Sequence, residues 1–418
     1  MDERRGRLQL LLPSAGPERT LALGTFVNTI GTGMLVTTSA VYFTQVVGLS
    51  PAQVGLGLTL AGAAGLAVST PMGHVADVLG PRELMVWTTL VLGVLSLAYL
   101  FVGSFVGFVV VAVVLTLLKG AAQAARGAMI AAVGSGGERV RLRAYLRAVT
   151  NVGITLGGVA GGLALAIDRP AAYRAMIVLD ALTFVLAALI ARRLPRVAPV
   201  PHHGEGPRLV VLRDRPYVAL TALNAVMTLH FGLLEVALPL WVIQRTEAPK
   251  WAVAVVVLVN TVCVVLLQVR MSRGVSTVRQ GADATRRAGL VLAVACLVLA
   301  ASGSGGPAVA VALLAVGSLV QVLGEMLQSA GSWALGFGLA PDDAQGQYQG
   351  LYSTGFSLSS MLAPALLTTL VVVGGTPGWV ALAVLFAGSG FLAAPLARWA
   401  LRTPPGPGLT RSEAASPA

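Results

Sequence analysis

The chain has 418 residues, of which 56% are hydrophobic and only 11% are charged, and its mean hydropathy is +0.81. Soluble globular proteins carry about 25% charged residues, so this composition excludes that class and predicts a polytopic α-helical membrane protein. The formal net charge of +12 would suit nucleic-acid binding only if the basic residues formed a patch, so their distribution decides its meaning.

Twelve apolar runs follow one another along the sequence, each suited to a helix of about 20 residues that crosses a bilayer. A polar, proline-rich linker over 192–216 separates six runs from six. The sequence therefore predicts an all-α protein with twelve transmembrane helices, in an amino-terminal bundle (1–191) and a carboxyl-terminal bundle (217–418) that ends in a short polar tail. The predicted runs are 20–46, 52–72, 84–102, 107–126, 144–167, 173–191, 217–241, 251–271, 288–303, 307–328, 347–373 and 379–401.

Lysine and arginine are distributed unevenly between the two sides of this arrangement. With the amino end in the cytoplasm, 24 of the 29 basic residues fall on the cytoplasmic side and four on the other. This asymmetry follows the positive-inside rule and predicts a multi-pass protein of the cell membrane with both termini in the cytoplasm. The basic excess then reflects topology and lipid contact, and not nucleic-acid binding.

The loop after the second run, over 73–84, reads GHVADVLGPREL. Gly73 and Gly80 permit a tight turn between two helices, and Asp77 places a negative charge at a helix boundary. With Arg82, the segment resembles the G-x-L-a-D-r-x-G-r-k signature of the major facilitator superfamily. The resemblance implies two six-helix bundles around a central cavity. It also implies a conformational switch in which Asp77 faces the positive end of a helix from the other half.

The fifth run carries a glycine stripe, because Gly153, Gly157 and Gly161 recur every four residues and therefore share one helix face. With Gly158 and Gly162, the segment resembles the G-x-x-x-G-P-x-x-G-G motif of exporting members of the superfamily, although Gly158 replaces the proline. The resemblance implies the branch of twelve-helix drug/proton antiporters (multidrug efflux). The alternative is a generic face of small residues that packs two helices closely.

Three acidic residues fall inside the predicted spans: Asp180, Glu235 and Glu325. A charge at the bilayer centre costs on the order of 2.5–3.5 kcal/mol, and a carboxyl group in apolar surroundings holds a proton more readily than it does in water. These acids are therefore candidates for proton coupling, with Glu235 as the first choice and His230 as a further candidate. The alternative for Asp180 and Glu235 is a structural acid paired with a neighbouring helix, and for His230 a hydrogen-bonded packing residue. For Glu325 the alternative is a gating role at the cytoplasmic mouth.

A substrate cavity is predicted from side chains that share helical faces with these acids, from the polar stripe of the first run, and from a tyrosine at the start of the eleventh run. The predicted lining residues are Asn28, Thr32, Asn224, Thr228, Phe231, Gln321, Gln328 and Tyr352. Tyr352 has an alternative place in an aromatic belt at the membrane interface.

Sequence patterns of other functional classes are missing. The two lysines precede Gly120 and Trp251, so the Gly-Lys-Ser/Thr sequence of a nucleotide-driven pump is absent. No H-E-x-x-H or G-x-S-x-G pattern supports a membrane-embedded enzyme. Cys263 and Cys296 lie in apolar runs, so we expect neither a disulfide scaffold nor a metal site.

The sequence therefore predicts a secondary transporter that uses the proton as coupling ion and needs no other cofactor. Export of an amphipathic or drug-like molecule by antiport is favoured, and proton-coupled uptake of a small nutrient or metabolite is the alternative. The expected partners are the substrate, protons and membrane lipid, and we expect the chain to act as a monomer.

Overall fold

The computed structural model describes residues 16–197, 210–249 and 251–405. This described part is almost entirely helical and contains no β-strand. We number its α-helices in chain order as α1 (Pro17–Val41), α2 (Pro51–Leu79), α3 (Pro81–Ser96), α4 (Phe105–Val133), α5 (Gly137–Ile167), α6 (Pro170–Ala191), α7 (Arg215–Met227), α8 (Leu229–Gly232), α9 (Leu238–Arg245), α10 (Ala252–Met271), α11 (Val278–Ala301), α12 (Pro307–Gly338), α13 (Gln345–Leu367) and α14 (Gly375–Arg402).

Ten helical segments of the described chain are long and apolar enough to cross a membrane, and α7 to α9 count as one of them. A further crossing is bent: in α2 the segments Ala52–Leu66 and Thr70–Leu79 meet at 51°. Helix α10 adds a shorter apolar helix over Val255–Met271. Together these segments confirm the predicted all-α protein with twelve spans, while the side of the membrane on which the termini lie stays a prediction.

Helix starts follow from local sequence signals. The Ser50 hydroxyl accepts a hydrogen bond from the Gln53 N–H, and the Gln53 side chain accepts one from the Ser50 N–H. This reciprocal capping box, with Pro51 in the first helical position, fixes the start of α2. At its other end Gly80 has φ 91°, a conformation that favours glycine, and α3 begins at the next residue.

The chain divides into two compact units. The first unit comprises Met1–Ser135, Tyr145–Leu209 and Asp343–Gly350, and the second comprises Gly136–Ala144, Val210–Asp342 and Leu351–Ala418. Each unit thus includes one short segment from the opposite half of the sequence. The predicted bundle boundaries stay a prediction, and part of the predicted linker, over 198–209, lies outside the described residues.

Each unit has its own aromatic core. In the first unit the ring of Phe43 packs against Phe108 at a centroid distance of 4.5 Å and against Tyr99 at 5.0 Å. In the second unit Trp241 and Trp379 pack edge to face at 5.6 Å. All five residues are buried. Each unit therefore has a densely packed aromatic cluster between its helices.

Candidate functional site

The carboxylate of Asp77 binds the start of helix α13 within the first unit. Its Oδ1 accepts a hydrogen bond of 2.7 Å from the Gly346 N–H, and its Oδ2 accepts one of 3.0 Å from the Gln347 N–H. These N–H groups belong to the first turn, where a helix leaves donors unsatisfied and carries partial positive charge. The family resemblance implies this kind of contact for Asp77, and its role as a switch stays a prediction.

Two glycines allow this close approach. A Cβ atom on Gly73 would collide with the carbonyl oxygen of Gly346, and a Cβ atom on Gly346 would collide with the carbonyl oxygen of Gly73 and with Asp77. A side chain at either position would therefore push the carboxylate away from the helix start.

The remaining signature residues form the turn between α2 and α3. Gly80 provides the left-handed backbone conformation. The guanidinium of Arg82 donates to Glu83 Oε1 at 2.8 Å and to the carbonyl oxygen of Arg192, just beyond α6. Arg82 therefore ties this turn to the end of another helix of the first unit.

The glycine stripe of α5 packs against α1. A Cβ atom on Gly157 would collide with the carbonyl oxygen of Ile30. Gly153 and Gly161 face α1 in the same way, against Thr29 and against Thr37 respectively. The stripe is therefore a close backbone contact between two helices, an arrangement that fits both the antiporter motif and the alternative of generic packing.

The two remaining glycines of the motif are not confined in this way. Gly158, which replaces the motif's proline, has only an ordinary contact with Thr37, and Gly162 faces open space. The steric requirement for glycine therefore applies to the stripe and not to the whole segment.

Glu325 of α12 is the centre of a buried polar network in the second unit. Only 2% of the residue is exposed. Its Oε2 accepts hydrogen bonds from the side-chain amides of Asn260 at 2.9 Å and Gln321 at 3.1 Å. His230 is completely buried, and its Nδ1 lies 4.0 Å from the same oxygen. A carboxyl group and an imidazole, both able to bind a proton, are thus held side by side among neutral amides.

The network continues from His230 along α12 toward α13. His230 Nε2 lies 3.4 Å from Gln328 Oε1, and the Gln328 amide donates to Asn224 Oδ1 at 3.0 Å. The Ser332 hydroxyl donates to the same Asn224 oxygen at 2.8 Å and lies 3.2 Å from the Tyr352 hydroxyl. Asn224, Gln328, Ser332 and Tyr352 also line one pocket. Tyr352 is therefore an interior residue of the second unit.

The seventh predicted span is not one continuous α-helix. Helix α7 ends at Met227, and a π-helical segment over Leu233–Ala237 follows α8. The Thr228 hydroxyl bonds back to the Asn224 carbonyl oxygen at 2.9 Å. Glu235 is exposed and interacts electrostatically with Glu325. The predicted common face of this span is therefore divided at the break. Asn224 and Thr228 before it are buried, whereas Glu235 in the π-helical segment is exposed.

Phe231 lies between these two parts. Its ring packs against the imidazole of His230 at a centroid distance of 4.1 Å and against Phe356 at 5.5 Å. It therefore covers the imidazole of His230 on one side.

Asp180 of α6 is the buried acid of the first unit, with 1% of the residue exposed. Its Oδ1 has no hydrogen-bond partner in the described part of the chain. The carboxyl group packs against Gly31, where a Cβ atom would be 2.6 Å from Oδ1. Lys119 of α4 interacts with it electrostatically. Asp180 thus has a nearby cation but lacks the amide donors that surround Glu325.

The polar stripe of the first run is divided as well. The Thr32 hydroxyl bonds to the Asn28 carbonyl oxygen at 3.2 Å. The Asn28 side chain lines a pocket of the first unit together with Arg126. The predicted fourth span ends at Arg126 and so leaves it out of the candidate site, whereas α4 continues to Val133. The apolar residues 128–131 were the available signal that the helix extends further.

Comparisons with known proteins agree with this architecture. The Major Facilitator Superfamily profile matches residues 21–364. The chain is 28% identical over 283 residues to the tetracycline resistance protein, class C, of Escherichia coli, covering 64% of this chain and 68% of that protein.

Two solved transporter structures share the fold. A bacterial homologue of the iron transporter ferroportin has a TM-score of 0.72 at 13% identity, covering 92% of this chain and 99% of that one. The E. coli fucose:proton symporter has a TM-score of 0.68 at 14% identity, covering 91% and 98%. The chain belongs to the major facilitator superfamily, as its signature predicted, and is a multi-pass transporter of the cell membrane and not an enzyme.

Proposed function

We propose that this transporter exports a small amphipathic molecule in exchange for protons, and that Glu325 and His230 form the proton-binding pair. The observation that carries the proposal is the position of Glu325, which is buried, bonded to two neutral amides and 4.0 Å from a buried imidazole. Imidazole exchanges protons near neutral pH, and a carboxylate beside it stabilises the protonated ring.

A proton at this pair changes the charge of the buried network. With the proton bound, the carboxyl group and the imidazole together are neutral. Without it, one negative charge remains in an apolar helix bundle, which is costly. The pair therefore releases its proton readily only when another group compensates the charge or replaces the proton.

The pocket beside the network supplies a place for that group. Asn224, Gln328 and Tyr352 line it and are connected to His230 by the row of hydrogen bonds described above. A polar or cationic end of a substrate that binds there would rearrange these bonds and favour loss of the proton. Competition between substrate and proton for one network is the requirement for antiport.

Two observations favour export over uptake. The tetracycline resistance protein of E. coli is a relative over most of the chain, and a membrane transporter protects a cell from a drug by removing it. The glycine stripe resembles the motif of exporting members, and its tight contact with α1 gives that motif a steric reason here. Tetracycline is therefore the first substrate to test.

The direction of coupling is tested in vesicles that contain the purified protein, with an imposed pH gradient and labelled tetracycline outside. Antiport predicts accumulation when the vesicle interior is acidic and collapse of the accumulation when a protonophore is added. Protein-free vesicles are the control, because tetracycline redistributes passively across a pH gradient. Accumulation driven by an acidic exterior would indicate symport and contradict the proposal.

A further inference from the structure

A second pocket lies inside the first unit, between helices α1, α3, α4 and α6. Its polar lining consists of hydroxyl, amide and guanidinium groups, and the remaining lining residues are apolar. The polar lining residues are Thr20, Thr25, Asn28, Thr89 and Arg126. Among the residues that the structure describes, no acidic side chain lines the pocket, so its charge is positive.

Arg126 carries that charge within the membrane-spanning helix α4. In the described part of the chain its guanidinium has neither a carboxylate partner nor a hydrogen bond. A charge inside a membrane-spanning helix is costly when it has no partner, and arginine presents five donors in a planar fork. An unpaired guanidinium beside a pocket is therefore a strong binding group for an anion.

The neighbouring polar groups also lack partners. Asn28 Nδ2 is buried and has no acceptor among the described residues. The residues Thr25 and Thr89 are 3% and 9% exposed, and in the same part of the chain no residue forms a hydrogen bond with either hydroxyl. Buried polar groups are normally satisfied by protein or by a bound species. The unsatisfied Asn28 amide beside the guanidinium, with two further hydroxyl donors on the pocket wall, indicates an occupant that accepts hydrogen bonds.

We propose that this pocket binds an oxyanion, the phosphate or carboxylate group of a small ligand or lipid, through Arg126 with Asn28 and the two threonine hydroxyls as further donors. The planar guanidinium suits two parallel hydrogen bonds to such a group. Thr20 lies in the first turn of α1 and the pocket residue Leu194 follows the end of α6. The site is thus near the end of the unit that the charge distribution assigns to the cytoplasm, where soluble phosphate and inner-leaflet headgroups are both available.

Equilibrium binding on purified protein tests the site without any transport step, so its outcome is independent of proton exchange. Delipidated protein in neutral detergent is titrated with inorganic phosphate and with acetate, and chloride at equal ionic strength serves as the reference. Specific binding raises the unfolding temperature with oxyanion concentration. Arg126→Gln should weaken binding at least about tenfold, because it removes the charged partner of the bond. Arg169→Gln, an exposed arginine at the start of α6, is the matched control and should bind like the wild type.

A lipid arm identifies the source of the oxyanion. The protein is placed in nanodiscs with or without phosphatidylglycerol, and retained lipid is counted by native mass spectrometry. Retention that depends on Arg126 assigns the pocket to a headgroup, and binding of phosphate or acetate in detergent assigns it to a soluble anion. Thr89→Val and Asn28→Leu provide the same test if Arg126→Gln does not fold, and each should weaken binding several-fold. Equal binding by the wild type and these variants, or no binding in either arm, would overturn the proposal.

Discussion

The two units each bury a carboxyl group in a helix, but they surround it differently. Glu325 in the second unit accepts two amide hydrogen bonds and has an imidazole 4.0 Å away. Asp180 in the first unit is equally buried, yet its Oδ1 has no hydrogen-bond partner within the described residues and packs against Gly31. Burial alone therefore does not distinguish the two acids, whereas the polar groups around each carboxyl group do.

The comparison extends to the rest of each unit. In the first unit the motif residues make fixed contacts: Asp77 binds the start of α13, and the stripe of α5 packs on α1. In the second unit a row of side-chain hydrogen bonds runs from Glu325 to Tyr352. We therefore propose that the first unit provides fixed contacts and that the second exchanges protons. The following predictions test this assignment.

The largest expected effect is on proton-driven transport. Glu325→Gln keeps the size of the side chain but replaces the carboxyl group, which can bind a proton, with an amide, which cannot. It should therefore abolish accumulation of tetracycline against a gradient while downhill exchange continues. Asp180→Asn should keep uphill accumulation close to the wild-type level. Both are measured in vesicles with the same imposed pH gradient.

Glu235→Gln is the second comparison in that assay, because Glu235 is the acid that the sequence favours but is exposed in the structure. Its charge interacts with Glu325, so we expect slower transport with coupling retained. Loss of coupling in Glu235→Gln or Asp180→Asn, with normal coupling in Glu325→Gln, would reverse the assignment of the units.

The next effect concerns the glycine stripe. Gly157→Ala places a methyl group against the carbonyl oxygen of Ile30, and overpacking of this kind typically costs about 1–3 kcal/mol. Gly162→Ala points into open space and should be neutral or slightly stabilising, since alanine favours helix over glycine by up to about 1 kcal/mol. Thermal unfolding of the purified variants measures the difference, and equal unfolding temperatures would show that the stripe is not a tight contact.

Asp77→Asn should affect rate more than folding. The amide can accept only one of the two backbone hydrogen bonds and has no charge to interact with the helix start, so the contact loses about 1.5–3 kcal/mol. We expect a decrease of about tenfold or more in transport rate, because 1.4 kcal/mol corresponds to a factor of ten. Asp283→Asn is the control, because this half-buried acid on α11 contacts only the neighbouring surface residue Arg286, at 3.9 Å, among the ion pairs of the described chain. Full activity of Asp77→Asn would remove this contact from the transport cycle.

The smallest expected effect is at the end of the network. Tyr352→Phe removes a hydroxyl that contacts Ser332, while Ser332 keeps its bond to Asn224. The loss of about 0.5–1.5 kcal/mol should slow exchange a few-fold and leave its pH dependence unchanged. An altered pH dependence of tetracycline binding would instead place Tyr352 among the proton-binding groups.

Much of the architecture follows from the sequence because it depends on local patterns. Hydropathy alone separates twelve spans, and the spacing of Gly153, Gly157 and Gly161 places them on one face. The motif around Asp77 indicates a contact with a helix start, although the sequence does not name the partner residues Gly346 and Gln347.

The choice among the intramembrane acids depends on features that sequence periodicity does not contain. The face predicted for the seventh span assumes an unbroken α-helix, and the π-helical segment at Leu233–Ala237 invalidates that assumption. Asn260 reaches Glu325 from α10 across the second unit, and no local spacing relates the two. Arg126 escapes the sequence prediction for another reason, because a charge inside a helix resembles the end of an apolar run.

Proton release on substrate binding tests the central assignment most directly. Tetracycline is added to purified protein in weakly buffered solution with a pH indicator, and the protons released per molecule bound are counted. We expect release by the wild type and by Asp180→Asn, and no release by Glu325→Gln. Release by Glu325→Gln at the wild-type level, or its loss in Asp180→Asn, would contradict the assignment of proton exchange to the second unit.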